Sequence, residues 1–138
     1  MSVKLLRIGT TYIPVSNVER SSDWYVNKLG ANLNYIDKDK AILNLANQSI
    51  FLVQSKENQS SNFYDIYGNE CFSITFEVNG FEALRAIHQE FSNKQMNVGE
   101  IENRGHAGRN FVFFDLDGNK FDVWSELSPV FKEKFLNL

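Results

Sequence analysis

Asp122 and Trp124 stand two apart in Phe121-Asp-Val-Trp124, an alternating apolar and polar run. In a strand, residues two apart point the same way, so a carboxylate and an indole project together from one side of a sheet. The carboxylate can anchor a cationic or hydrogen-bonding group, or act as a general base in a shielded cleft. The indole can stack on a planar ligand. The element assignments below bring Thr10, Tyr12, Phe51, Val53, Ser73 and Thr75 to that same face. Rings and hydroxyls around one acid are the lining of a small-molecule cleft. The plainer readings are a local ion pair for Asp122, with Lys120 or Arg109, and core filling for Tyr12, Phe51 and Trp124.

Other reactive residues are sparse. His106 and Arg109 sit in a loop with two glycines, Asn103 to Asn110, where Arg109 can clamp an anion or simply be solvated. His88 falls on a predicted helix and is expected at its surface. Cys71 has no activating neighbour and reads as a structural thiol. As the single cysteine it cannot form an internal disulfide, which suits a reducing cytoplasm.

Composition narrows the class. The 138 residues suit one compact unit or two small subdomains. Twelve Phe, five Tyr and two Trp point to a core built from rings. Charge is nearly balanced, 14 basic against 17 acidic residues with no basic run, which argues against nucleic acid. No apolar stretch approaches a membrane span, and Met1 to Leu6 is too short for a signal sequence.

The elements that position the candidates follow from periodicity. Ile8 to Val15 reads as a strand, then a helix runs from an Asn17 cap to about Leu29, ended by Gly30. Its buried stripe is Val18, Ser22, Tyr25, Val26 and Leu29. Leu33 to Ile36 is a short strand. Ala41 to Leu45 and Ser49 to Gln54 form a hairpin across Asn47-Gln48. Ser55 to Asn62 is a polar loop, whereas Phe63, Tyr64 and Tyr67 are too apolar for a free linker. Phe72 to Val78 is a strand, Phe81 to Ser92 a helix, and Met96 to Ile101 a short strand. Phe111 to Phe114 and Phe121 to Trp124 make a hairpin turned at Asp117-Gly118. Ser128-Pro129 opens a short C-terminal helix to residue 136.

The two halves repeat this order: strand, helix, strand, strand, strand. Shifting by 63 residues lays Val15, Val18 and Glu19 on Val78, Phe81 and Glu82. Shifting by 71 lays Ile42 to Val53 on Phe113 to Trp124. The offset changes in a loop, where length is free to vary. The economical fold is α+β: two tandem βαβββ modules, about 5–56 and 70–126, in one 1–138 domain. They are joined by a 57–69 loop and share one curved mixed sheet around a cleft, with helices on the convex face.

Two segments carry a resemblance. Tyr12-Ile-Pro-Val-Ser-Asn-Val-Glu-Arg-Ser-Ser-Asp-Trp-Tyr-Val-Asn-Lys-Leu-Gly30 and Phe114-Asp-Leu-Asp-Gly-Asn-Lys-Phe-Asp-Val123 are similar to the opening strand–helix and closing hairpin of the vicinal oxygen chelate superfamily. That superfamily includes glyoxalases, extradiol dioxygenases and the fosfomycin- and bleomycin-resistance proteins. The resemblance covers roughly residues 5 to 126 and speaks for fold more than reaction. Carried over by motif, the family's metal-ligand positions fall on Thr10, Phe51, Ser73 and Asp122. Phe51 cannot coordinate, and Thr10 and Ser73 are weak neutral donors, so only Asp122 is a plausible ligand for a divalent metal. No cofactor is therefore expected. The resemblance implies metal-free binding of a small aromatic or cationic molecule. The alternatives are a metal-dependent lyase or dioxygenase with a non-standard ligand set, and a non-catalytic module with a vestigial cleft. It also implies a homodimer.

Overall fold

The computed structural model describes residues 2–136. The chain divides into two compact units, one ending at Ser60 and one beginning at Ser61.

The first unit is β1 (Thr10–Val15), α1 (Val18–Leu29), β2 (Asn32–Ile36), β3 (Lys40–Leu45) and β4 (Gln48–Gln54). Its sheet runs β1-β4-β3-β2, with β1 parallel to β4 and the other pairs antiparallel. Alternation puts Ile13, Val15, Ala41, Leu43, Ile50 and Leu52 on one face, and all are buried. There they meet Val18, Ser21, Ser22 and Tyr25 of α1. The helix starts where Asn17 accepts the backbone N–H of Arg20 at 2.9 Å. It stops where Gly30 takes φ 74°, which costs a glycine little. The β3–β4 turn lies at Ala46 and Asn47, both with positive φ, one residue before the expected position.

The second unit holds β5 (Phe63–Tyr64), β6 (Glu70–Cys71), β7 (Thr75–Glu77), α2 (Phe81–Asn93), β8 (Asn97–Val98), β9 (Asn110–Phe114) and β10 (Lys120–Trp124). Its sheet runs β7-β10-β9-β8 with β7 parallel to β10, the topology of the first unit repeated. Phe113 and Phe121 pack with ring centres 5.3 Å apart, and Phe91 of α2 meets Phe113 edge-on at 5.1 Å. The expected 72–78 strand is shorter, spanning Thr75–Glu77, and the residues before it, Glu70 and Cys71, pair with Phe63 and Tyr64 in a separate hairpin. That hairpin also shows that residues 63–71 are not a linker. His88 is half-buried, against expectation. Its Nε2 lies 2.8 Å from the Gly99 carbonyl and its ring meets Phe111 edge-on at 4.8 Å. The helix's inward stripe thus runs through position 88 between Leu84 and Phe91.

The C-terminal helix is in two pieces: one α-helical turn, α3 (Pro129–Phe131), then a wider π-type turn, Lys132–Leu136. Among the described residues no helix is long and apolar enough to cross a membrane.

The Asp115-Leu-Asp-Gly-Asn119 turn is a structural knot. Asp115 accepts the backbone N–H groups of Asp117 and Asn119, each at 2.9 Å, and the Asn119 side-chain amide at 2.8 Å. Asn119, fully buried, accepts the Ser61 N–H at 2.8 Å, and Asn62 accepts the Lys120 N–H at 2.8 Å. This segment fixes where β10 begins, and so where Asp122 sits.

Candidate functional site

Asp122 is 2% exposed. An isolated carboxylate there would be costly, and three neighbours answer it. Thr75 donates its hydroxyl to Oδ2 at 3.1 Å from the facing strand. Asn110 donates its side-chain amide to Oδ2 at 2.9 Å. Arg104 brings Nη2 to 3.1 Å from Oδ1 as an ion pair; Oδ1 has no aligned hydrogen bond. Asn110 Oδ1 is also buried without a partner among the described residues.

Arg104 reaches Asp122 because the chain closes on itself. Glu102 and Asn110 exchange backbone hydrogen bonds at 2.7 and 3.1 Å, so the loop between them turns back over the sheet. Arg104 also pairs with Glu102 at 3.0 Å and lies 5.7 Å from the centre of the Phe72 ring. Burial pushes its guanidinium pKa down, but the bonds and charges of Glu102 and Asp122 outweigh this and raise it. Sequence reasoning put Lys120 or Arg109 against Asp122 and missed Arg104. Lys120 instead binds the Glu70 carbonyl at 2.9 Å, and Arg109 the Gly108 carbonyl at 3.0 Å. The available signal was that Glu102 and Asn110 flank a glycine-bearing loop able to close, with Arg104 inside it.

Trp124 is half-buried beneath this loop. Its indole N–H donates to the Ala107 carbonyl at 3.0 Å, and His106 meets the ring edge-on at 5.9 Å. Gly108, at φ 77°, lies so close that a Cβ would come within 2.8 Å of the indole nitrogen. Ser73 and Thr75 are exposed; Thr75 faces Asp122, whereas Ser73 precedes the paired strand.

In the first unit, Tyr12 and Phe51 are strand partners with ring centres 4.9 Å apart. Tyr12 is 64% exposed and Phe51 half-buried. Thr10 is exposed on the same face. With Ile42 and Val53, themselves half-buried, the ring pair makes an apolar platform on the face opposite α1.

A divalent metal finds a poor donor set. Among the described residues no three His, Cys, Asp or Glu side chains come together. Asp122 already has a guanidinium beside it, which a metal would have to displace. The geometry can hold a planar ring on Tyr12 and Phe51, and it presents a neutralised, hydrogen-bonded acid at Asp122.

A family model described as the Glyoxalase/Bleomycin resistance protein/Dioxygenase superfamily matches residues 7–123. Solved structures resemble the chain at low identity, which speaks for fold alone. Lactoylglutathione lyase from Agrobacterium tumefaciens is 13% identical, with TM-score 0.67 over 86% of this chain and 92% of that one. The fosfomycin resistance protein FosX from Listeria monocytogenes, complexed with Mn(II) and sulfate, is 15% identical, with TM-score 0.69 over 98% and 99%. An integron cassette protein from the mobile metagenome of the Halifax Harbour sewage outfall is 17% identical, with TM-score 0.71 over 88% and 100%. No curated protein sequence matches.

Proposed function

The chain belongs to the Glyoxalase/Bleomycin resistance protein/Dioxygenase superfamily, and from that premise we propose that it binds a small aromatic molecule without a metal. One observation carries this reading: the positive charge facing Asp122 is Arg104, at 3.1 Å, and not a metal-ligand set. A second supports it. The Tyr12–Phe51 pair, exposed at Tyr12, offers a planar ligand a stacking surface and asks for no charge. In the first unit Thr10 is the hydroxyl proposed to orient that ligand; in the second unit Ser73, Thr75, Trp124 and Arg109 are the proposed contacts of a ligand beside Asp122. A cationic ligand is the weaker choice, because the charge of Asp122 is already balanced. The protein on this reading is a cytoplasmic homodimer that engages no nucleic acid.

A metal-dependent lyase or dioxygenase is the second reading, favoured by the likeness to a FosX structure described with Mn(II). The deciding measurement is metal content and binding on tag-free protein offered Zn²⁺, Fe²⁺, Mn²⁺ and Ni²⁺ without chelator. Background metal, with a saturable thermal shift from neutral planar aromatics that Tyr12→Ala weakens, supports the proposal. Stoichiometric metal abolished by Asp122→Ala overturns it and calls for lyase and ring-cleavage assays. Neither metal nor any ligand leaves a non-catalytic module.

A further inference from the structure

Beside the start of α1 the first unit has a groove of about 670 Å³, within the size range of small-molecule sites. One wall is the first half of α1: Val18, Glu19, Ser22 and Asp23. The other is Leu33, Ile36, Asp37 and Lys38, of β2 and the turn after it. Asn17 and Gln54 close one end, and their side chains are occupied: Asn17 caps Arg20, and Gln54 accepts the Val18 N–H at 2.9 Å. Asp37 is occupied too, by Lys40, Tyr35 and backbone N–H groups.

Three groups in the groove are not spent. Glu19 and Asp23 lie four apart on one helix face, both exposed, and among the described residues neither has a cationic partner. Like charges at that spacing repel. Ser22 lies between them, 1% exposed, and its hydroxyl has no hydrogen-bond partner among the described residues. A buried hydroxyl without a partner is costly and calls for an explanation. Across the groove Leu33 and Ile36 are 44% and 39% exposed, an apolar wall with nothing on it. Lys38 is the one cation in the lining, against three carboxylates.

We propose that this groove is a second small-molecule site, taking an organic cation with a short apolar body, such as an alkylammonium. Glu19 and Asp23 supply the counter-charge, the Ser22 hydroxyl accepts an N–H, and Leu33 and Ile36 cover the alkyl chain. The site lies entirely within the first unit, on the helix side of its sheet, and does not depend on the aromatic-binding reading above.

The test uses the full chain and n-hexylammonium, followed by amide NMR shifts. Saturable shifts at Ser22, Asp23, Leu33 and Ile36 are expected, absent with n-hexanol. The E19Q/D23N variant should bind at least tenfold more weakly while keeping its response to neutral aromatics. Ser22→Ala should weaken binding several-fold and hold or raise the thermal midpoint, since it removes an unpartnered polar atom. Non-saturating shifts, equal binding by hexanol, or binding unchanged in E19Q/D23N would overturn the site. So would a lowered midpoint in Ser22→Ala, which would give the hydroxyl an internal partner. Stronger binding of Ca²⁺ or Mg²⁺ alone at the same residues would make it a metal site and overturn the organic-cation proposal.

Discussion

Thr75 stands directly across a parallel strand pair from Asp122 and donates its hydroxyl to it at 3.1 Å. Tyr12 and Phe51 hold the equivalent positions in the first unit, also strand partners across a parallel pair. The same two offsets, 63 and 71 residues, relate Tyr12 to Thr75 and Phe51 to Asp122. One backbone frame thus carries a ring pair in one unit and a hydroxyl–carboxylate pair in the other. The acid needs a counter-charge that the ring pair does not, and Arg104 supplies it.

Removing that counter-charge should therefore cost more than removing the acid with it. Arg104→Ala leaves Asp122 buried and unpaired, with an expected loss of about 2–4 kcal/mol, discounted for the part of Arg104 that meets solvent. Adding Asp122→Asn should recover part of this, because the residue left behind is then neutral. Denaturant unfolding of the two single variants and the double variant gives the coupling, expected at about 1–3 kcal/mol. Additive losses would mean that the pair contributes nothing.

The Asp115–Asn119 knot makes a sharper claim about stability than about function. Asn119→Ala removes the acceptor for the Ser61 N–H and the donor to Asp115, both within a buried network. Leaving those partners unmet should cost about 2–4 kcal/mol. The same substitution should loosen the Ser61–Asn62 segment, seen as faster amide exchange at Ser61 and Lys120. A variant as stable as the parent would show that the turn is held by its backbone alone.

Much of this was legible in the sequence, for identifiable reasons. Period-two alternation located β1, β4, β9 and β10, and Asn17 and Gly30 bracketed α1, because those signals act within a few residues. The repeat offsets even carried the strand register, laying the Tyr12–Phe51 pair on the Thr75–Asp122 pair, although matched faces alone would leave a two-residue slip open. Arg104 was not legible. Its contact with Asp122 depends on the Glu102–Asn110 bridge, a tertiary closure with no periodic trace. The Phe63–Cys71 hairpin was hidden too. Two-residue strands show no alternation to read. Ser22 was read correctly as buried, but burial says nothing about whether its hydroxyl has a partner.

Asp37 gives the molecule a readable acid titration. The ammonium of Lys40, the Asp39 N–H and the Tyr35 hydroxyl all bond its carboxylate and hold its pKa far below the usual range. A carboxyl with a depressed folded pKa adds stability that is present above its unfolded value, near 3.8, and lost as pH falls toward the folded one. Asp37 should therefore stay ionised as pH falls through its unfolded value, its carboxyl carbon NMR shift still that of a carboxylate. Lys40→Met should move the Asp37 titration upward, since its strongest partner is gone. An unshifted Asp37 in that variant would assign the effect to the turn's backbone instead.

The loop over Trp124 can be lifted by one atom. Gly108 has φ 77°, which an L side chain rarely adopts, and an added Cβ would lie 2.6 Å from Ser125 Oγ and 2.8 Å from Trp124 Nε1. Neither neighbour yields easily. Ser125 accepts the Arg109 N–H at 2.8 Å, and Trp124 is tied to Ala107. Gly108→Ala should thus cost more than about 1 kcal/mol and break the indole bond to the loop. In a Trp24→Phe background the remaining indole reports the change alone, and its emission should shift to the red as water reaches it. If a ligand beside Asp122 in the second unit touches Trp124 and Arg109, the same variant should change its affinity. It should leave hexylammonium binding in the first unit where it was. Unshifted emission would mean that the loop gives way without releasing Trp124.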